Sequence, residues 1–325
     1  MSETIRHADS VAAVLASVTA VAAARAMPHV GTGEKETADQ AAVDAMRNLL
    51  MKSAVDATIV IGEGEKDEAP MLGAGERLGI GGPELDIAVD PVEGTSLLAA
   101  DRDGAMAIIG AAPRGAMFDP GPAFYMDKLI VGPNSAGSVS LDAPMEDTVR
   151  AIAKSEGIKP DDVCVAMLYR PRNADRLAGL RRVGAKTVLL DHGDVGPSLL
   201  AALENSSIHA VAGIGGTPEG IAIACALRGM GAEIQGRLAP QLPEEAHAVL
   251  DFFDDPGALL SSEDLVAPGP AWFAAAGITG GGPFARVEAV EGGYKTHVLV
   301  VTHNESSGAE WLDIVVDPLG ELTVP

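Results

Sequence analysis

Thr58-Ile59-Val60-Ile61-Gly62-Glu63-Gly64-Glu65, echoed by Asp86-Ile87-Ala88-Val89-Asp90-Pro91-Val92-Glu93-Gly94-Thr95, decides the fold. Each stretch opens on a short, β-branched apolar run and passes into glycines and carboxylates. A run that is apolar on both faces reads as a buried strand, and such strands belong to sheets covered by helices. Glu63 and Glu65 end one strand, and Asp90 and Glu93 end the other. Two acidic strand ends point to a polar site at the C-terminal rim of a sheet, where α/β folds bind their ligands.

Working outward, the alternation of strand and helix continues. Asp9 or Ser10 can cap a helix that runs through an Ala-rich stretch to Met27, where Pro28 stops it. A second helix is expected over Thr37–Met51, with Val43, Met46, Leu49 and Leu50 on one face. Downstream, strands are expected at Ala105–Ile109, Lys128–Val131, Val163–Leu168, Thr187–Leu190 and Ile208–Ala212. Helices fall at Glu146–Lys154 and Leu199–Leu203, and the glycine-rich turn Gly215–Gly220 opens another over Ile221–Leu227. Pro/Gly clusters mark loops at Pro113–Gly121 and Pro256–Pro270. The pattern is that of a layered α/β fold. At 325 residues the chain makes one large unit or two packed lobes. The lobes would be 1–135, with metal and catalytic residues, and 136–325, with substrate-binding residues and Glu219.

Hydrophobic residues make up 47% of the chain and aromatic ones 3%, so the core is filled by Ala, Val, Leu, Ile and Met rather than rings. Asp and Glu number 46 against 23 Lys and Arg, a net charge of −23. That field repels phosphodiester backbones and anionic lipid, which argues against nucleic acid and membrane as partners. A phosphorylated substrate is still compatible, because a divalent cation and a few arginines reverse the sign inside one pocket. Cys164 and Cys225 are too few for a disulfide framework, which fits the cytoplasm. Val11–Ala24 is uncharged but shorter than the roughly 20 apolar residues that span a bilayer. It also follows Glu3, Arg6 and Asp9 rather than a basic leader, so it reads as a packed helix.

Hydrolysis of a phosphate monoester needs positioned water and neutralised charge on the transferred group. Hard divalent cations supply the second, and they select converging carboxylates. Glu63, Asp90, Glu93 and Glu219 meet that description, each sitting where a strand gives way to a turn or a glycine loop precedes a helix. Gly94 lets the backbone approach an anion, and the Thr95 hydroxyl could hold a phosphate oxygen or orient water. Alternatively, Thr95 or Ser96 simply caps a helix ending near Ala100.

Five strings carry a more specific resemblance: Lys35–Asp39 (KETAD), Thr58–Leu72 (TIVIGEGEKDEAPML), Asp86–Ser96 (DIAVDPVEGTS), Tyr125–Pro133 (YMDKLIVGP) and Gly213–Gly220 (GIGGTPEG). They resemble the class II fructose-1,6-bisphosphatases of bacteria, and DPVEGT alone is similar to the signature of the wider lithium-sensitive phosphatase superfamily. The resemblance implies an α-β-α-β-α sandwich and Mg²⁺ or Mn²⁺ held by Glu63, Asp90 and Glu219, with Glu93 in the same cluster. It implies that Asp39 activates the attacking water, that Thr95 sits beside the scissile phosphate and that Lys35 lies near the catalytic end. Tyr125, Arg170 and Arg172 match the positions that hold the distal phosphate. A homodimer or homotetramer is the expectation.

The chain departs from the family where an Asp-Gly-Asp triplet is usual and His192-Gly193-Asp194 stands instead, at positions expected to face sugar hydroxyls. The last strand also lacks the family's basic residues. The expected reaction is therefore removal of the 1-phosphate of fructose 1,6-bisphosphate by metal-activated water. The alternative is the same chemistry on another small phosphorylated sugar or cyclitol, such as sedoheptulose 1,7-bisphosphate or an inositol phosphate. A non-catalytic binding paralogue is disfavoured by the retained Glu63, Asp90, Thr95 and Glu219.

Overall fold

The computed structural model describes residues 11–62, 65–66, 69–304, 307–320 and 322–323. Glu63 and the caps expected at Asp9 or Ser10 lie outside them. The chain forms two compact units, one made of Met1–Met117 with Pro268–Pro325 and the other of Phe118–Ala267.

The first unit opens on helix α1 (Val11–Ala26), whose side chains are buried nearly all round, as befits a core helix rather than a surface one. The α-helix ends at Ala26, and Pro28 lies within a 3₁₀ turn, Met27–His29. Val11–His29 is long and apolar enough to cross a membrane, yet two thirds of it is buried inside the protein. Helix α2 (Lys35–Leu50) turns Ala38, Ala42, Val43, Met46 and Leu50 inward, with Leu49 half-buried. Strand β1 (Asp56–Ile61) runs parallel to β2 (Glu84–Glu93). After the short helix α3 (Thr95–Ala99), β3 (Met106–Pro113) pairs antiparallel with β2.

The second unit follows without interruption: β4 (Tyr125–Val131), α4 (Met145–Glu156), β5 (Cys164–Leu168), α5 (Ala174–Val183), β6 (Lys186–Leu190), α6 (Val195–Ala202), β7 (Ala210–Gly216), α7 (Thr217–Met230), β8 (Glu233–Leu238) and α8 (Pro243–Phe252). Its sheet has the order β8-β4-β7-β5-β6. Strands β7, β5 and β6 are mutually parallel, while β4 runs antiparallel to both β7 and β8. Val131, Val149, Ile152, Val165, Leu180 and Ala210 are part of its core. The stretch expected to be loop over Pro256–Pro270 contains a short helix, Ser262–Leu265, held by a capping box at Ser261.

The chain then returns to the first unit. Strand β9 (Ala271–Gly277) pairs antiparallel with β3 from Trp272↔Ala111 to Gly277↔Met106. Strands β10 (Gly293–His303) and β11 (Gly308–Val316) extend the sheet outward. Among the described residues the sheet is nine-stranded, in the order Leu322–Thr323, β11, β10, β9, β3, β2, β1, Arg77–Leu78, with Glu288–Val290 paired to β10. The division therefore falls at 117 and 268 rather than near 135, because the β3–β9 ladder draws the C-terminal segment into the first unit. The role of β11 is plain in its side chains. Leu312, Ile314 and Val316 are buried, and Asp313 between them pairs with Lys295 across the ladder at 2.7 Å.

Both units are thus mixed sheets with helices packed on them, the α/β class expected.

Candidate active site

In the first unit, β1 ends against Gly62, where a Cβ would run into the carbonyl oxygen of Leu72. Only glycine fits there. The next residue, Glu63, lies outside the described residues. Strand β2 does not stop at Asp90 as expected but continues to Glu93, with a shift of register: Asp90 faces Ile108 and Glu93 faces Met106. The cause is Pro91, which has no N–H for the ladder, so one extra residue bulges out. The Val92 N–H turns instead to Asp90 Oδ1 at 3.0 Å. The bulge re-aims two carboxylates, Asp90 half-buried and Glu93 buried.

Strand gives way to helix at Gly94, whose φ of +82° lies in the left-handed region that glycine enters without strain. Gly94 is the N-cap of α3, and neither Thr95 nor Ser96 caps it. Thr95, half-buried, is the first helical residue. Ser96 is met by Lys35, whose Nζ donates to its Oγ at 2.7 Å. The backbone before α2 is tied to α3 as well, by Gly31 N–H to Leu98 O and Gly33 N–H to Ala99 O, each at 3.0 Å. Asp39, buried on α2 one turn beyond Lys35, is carried by the same pair of helices. The fold thus ties Lys35 to the start of α3 at Ser96.

In the second unit, β4 and β7 bring Tyr125 opposite Gly216, and Thr217 N–H continues the contact to Phe124 O at 3.0 Å. The Arg172 guanidinium lies 4.7 Å from the centroid of the Tyr125 ring, a cation–π distance. Its Nε donates to Ile214 O at 3.1 Å, and its remaining N–H groups have no partner among the described residues. Arg170 is spent on backbone carbonyls, those of Tyr169 and Asp191, which sets it beside the exposed His192. Asp194 is buried and pairs through Oδ2 with Lys128 Nζ at 2.7 Å.

Glu219 stands in the first turn of α7. Its Oε2 is buried and, among the described residues, has no hydrogen-bond partner. Burial pushes its carboxyl above the usual glutamate range; the Lys128 charge pulls it back and Asp194 adds to the rise.

Two residues of this neighbourhood escape a reading of the sequence. Lys128 is fully buried in β4, and its one local signal is a cation between Met126 and Leu129 in an apolar strand. Glu245, also buried, accepts from the N–H groups of Phe124, Tyr125 and Gln241 at 2.8, 3.1 and 2.8 Å. It anchors the start of β4, and nothing in LPEEA (242–246) distinguishes it from an ordinary helix-start carboxylate.

The family described as "Bacterial fructose-1,6-bisphosphatase, glpX-encoded" matches residues 9–311. Over 322 residues, and 91% of each chain, the sequence is 38% identical to a "D-fructose 1,6-bisphosphatase class 2/sedoheptulose 1,7-bisphosphatase" of Synechococcus sp. (strain JA-3-3Ab). It is 36% identical to the protein of that name from Synechococcus sp. (strain JA-2-3B'a(2-13)), with the same coverage. A third relative, "D-fructose 1,6-bisphosphatase class 2/sedoheptulose 1,7-bisphosphatase 2" of Acaryochloris marina (strain MBIC 11017), is 35% identical, again with the same coverage. The chain belongs to the GlpX-type class II fructose-1,6-bisphosphatase family, a family of metal-dependent phosphoric monoester hydrolases.

Proposed function

We propose that the chain hydrolyses the 1-phosphate of fructose 1,6-bisphosphate, consuming water and releasing fructose 6-phosphate and phosphate. The observation that carries this reading is the Tyr125–Arg172 pair. A bisphosphate must be held by the phosphate that is not hydrolysed. Arg172, stacked on a ring and fixed through Nε, keeps N–H groups available for bidentate phosphate binding. Tyr125 and Arg172 stand at the end of the β4–β7 ladder from which α7 and Glu219 begin. Arg170, His192 and Asp194 join them as the substrate-facing set, with Asp194 Oδ2 already engaged by Lys128.

The donors fit a hard divalent cation, Mg²⁺ or Mn²⁺. Asp90, Glu93 and Glu219 offer carboxylate oxygens, and Glu219 contributes a buried oxygen with no other partner among the described residues. Glu63 is a further ligand in this reading. When bound, the cation offsets charge on the phosphoryl oxygens and lowers the proton affinity of nearby water. Asp39 takes the proton of the attacking water. The Thr95 hydroxyl donates to a phosphate oxygen, Gly94 gives it close backbone approach, and Lys35 adds positive charge on the same side. The enzyme is cytoplasmic and works as a homodimer or homotetramer in this reading.

The test is phosphate release from fructose 1,6-bisphosphate by the purified protein with Mg²⁺ or Mn²⁺. No release sinks the reading. A second substrate, sedoheptulose 1,7-bisphosphate, is supported by the printed names of the relatives and by His192, which can donate as well as accept where an aspartate only accepts. Comparing kcat/KM for the two sugars and an inositol phosphate separates them.

A further inference from the structure

Lys128 has no exposed surface. An ammonium taken out of water is costly unless its donors are met. Its Nζ lies 2.7 Å from Asp194 Oδ2 and donates to the carbonyl oxygen of Gly216 at 3.0 Å. Gly216 is the N-cap of α7, the residue at which β7 turns into the helix that carries Glu219. The turn has no slack. A Cβ on Gly216 would overlap the Glu219 carboxylate, one on Gly215 would press on Asp194 Oδ2 and the Lys128 side chain, and one on Gly220 would meet Lys128 Cδ at 3.0 Å. The Glu219 carboxylate is therefore folded back over the N-cap that Lys128 grips.

We propose that Lys128 is the positioning residue for Glu219: anchored by Asp194, it holds the Gly216 carbonyl and so fixes the strand-to-helix turn that aims the carboxylate at its cation. The inference rests on the reading of Glu219 as a metal ligand. Two effects of Lys128 oppose each other. As a nearby positive charge it repels a cation, so its removal would tighten binding. As a geometric clamp it preorganises a ligand, so its removal would weaken binding. The sign of the change distinguishes them.

The experiment is Mn²⁺ titration of the full chain without substrate, read from the electron paramagnetic resonance of free Mn²⁺, with a thermal melt of each variant. K128M alone strands a buried Asp194 charge and risks misfolding, so K128M/D194N, which removes both charges, is the informative variant. We expect it to bind Mn²⁺ about ten- to a hundredfold more weakly, the range for residues that orient a ligand. D194N alone keeps the grip on Gly216 and stays within about threefold of wild type, below that range. Equal or tighter binding by K128M/D194N overturns the inference alone, and so does a D194N protein that melts as wild type yet loses Mn²⁺ as fully as E219Q. A wild-type chain that binds no Mn²⁺ overturns the metal reading and this inference with it.

Discussion

Asp90 shapes the β2 bulge through its bond from Val92 and, in the proposed reading, also offers an oxygen to a cation. Asp90→Asn keeps an acceptor for the Val92 N–H but removes the charge. It should leave the melting temperature near wild type while kcat/KM falls about a thousandfold or more; steady-state assays beside a melt check this. Arg172 predicts the opposite split. Arg172→Gln should raise KM for a bisphosphate about ten- to a hundredfold, the worth of a charge-assisted bond, with kcat little changed. Asp90, Glu93, Thr95 and Glu219 are legible in the sequence because glycines and a proline surround them, and those residues carry backbone information. Lys128 and Glu245 are not, since their meaning depends on Asp194, Gly216 and Phe124, brought near only by folding.

At the scale of elements, the start of β4 hangs on one carboxylate from α8. Glu245→Ala would remove the charged acceptor of three backbone N–H groups and should destabilise the protein by about 3 kcal/mol, read from denaturant unfolding. It should also raise KM, because Tyr125 loses its anchor. The helix Ser262–Leu265 supplies a pH-dependent case. The Ser261 hydroxyl and N–H hold the Asp264 carboxyl below the usual aspartate range. A carboxylate depressed in the folded state contributes stability above its unfolded pKa of about 3.9, and that contribution is lost as pH falls through the folded value. Ser261→Ala should cost about 1 kcal/mol at neutral pH and flatten the acid limb of a melting curve. Strands β1 to β7 are legible from their β-branched runs. Strand β9, written AWFAAAG, is not, because alanine carries no strand signal and the ladder to β3 supplies what propensity lacks.

For the whole molecule, a net charge of −23 means that a cation bound to the folded state is worth more than its local contacts. Chelation should abolish phosphate release, and Mg²⁺ or Mn²⁺ should restore it. At a hundred times Kd the ion should add about 2.7 kcal/mol of stability, seen as a rise in melting temperature that Glu219→Gln removes. Cys164 and Cys225 are buried thiols and add no covalent constraint to that balance.

The interrupted first unit has a bearing on how the chain is made. During synthesis, β3 leaves the ribosome well before its partner β9, and the whole of Phe118–Ala267 is translated in between. That intervening stretch is continuous and can fold as soon as it emerges, whereas the larger sheet must wait with β3 as a provisional edge. Closing so long a loop costs little extra free energy, since the penalty grows only with the logarithm of its length. What it lengthens is the waiting time, during which the exposed edge is open to a chaperone or to aggregation.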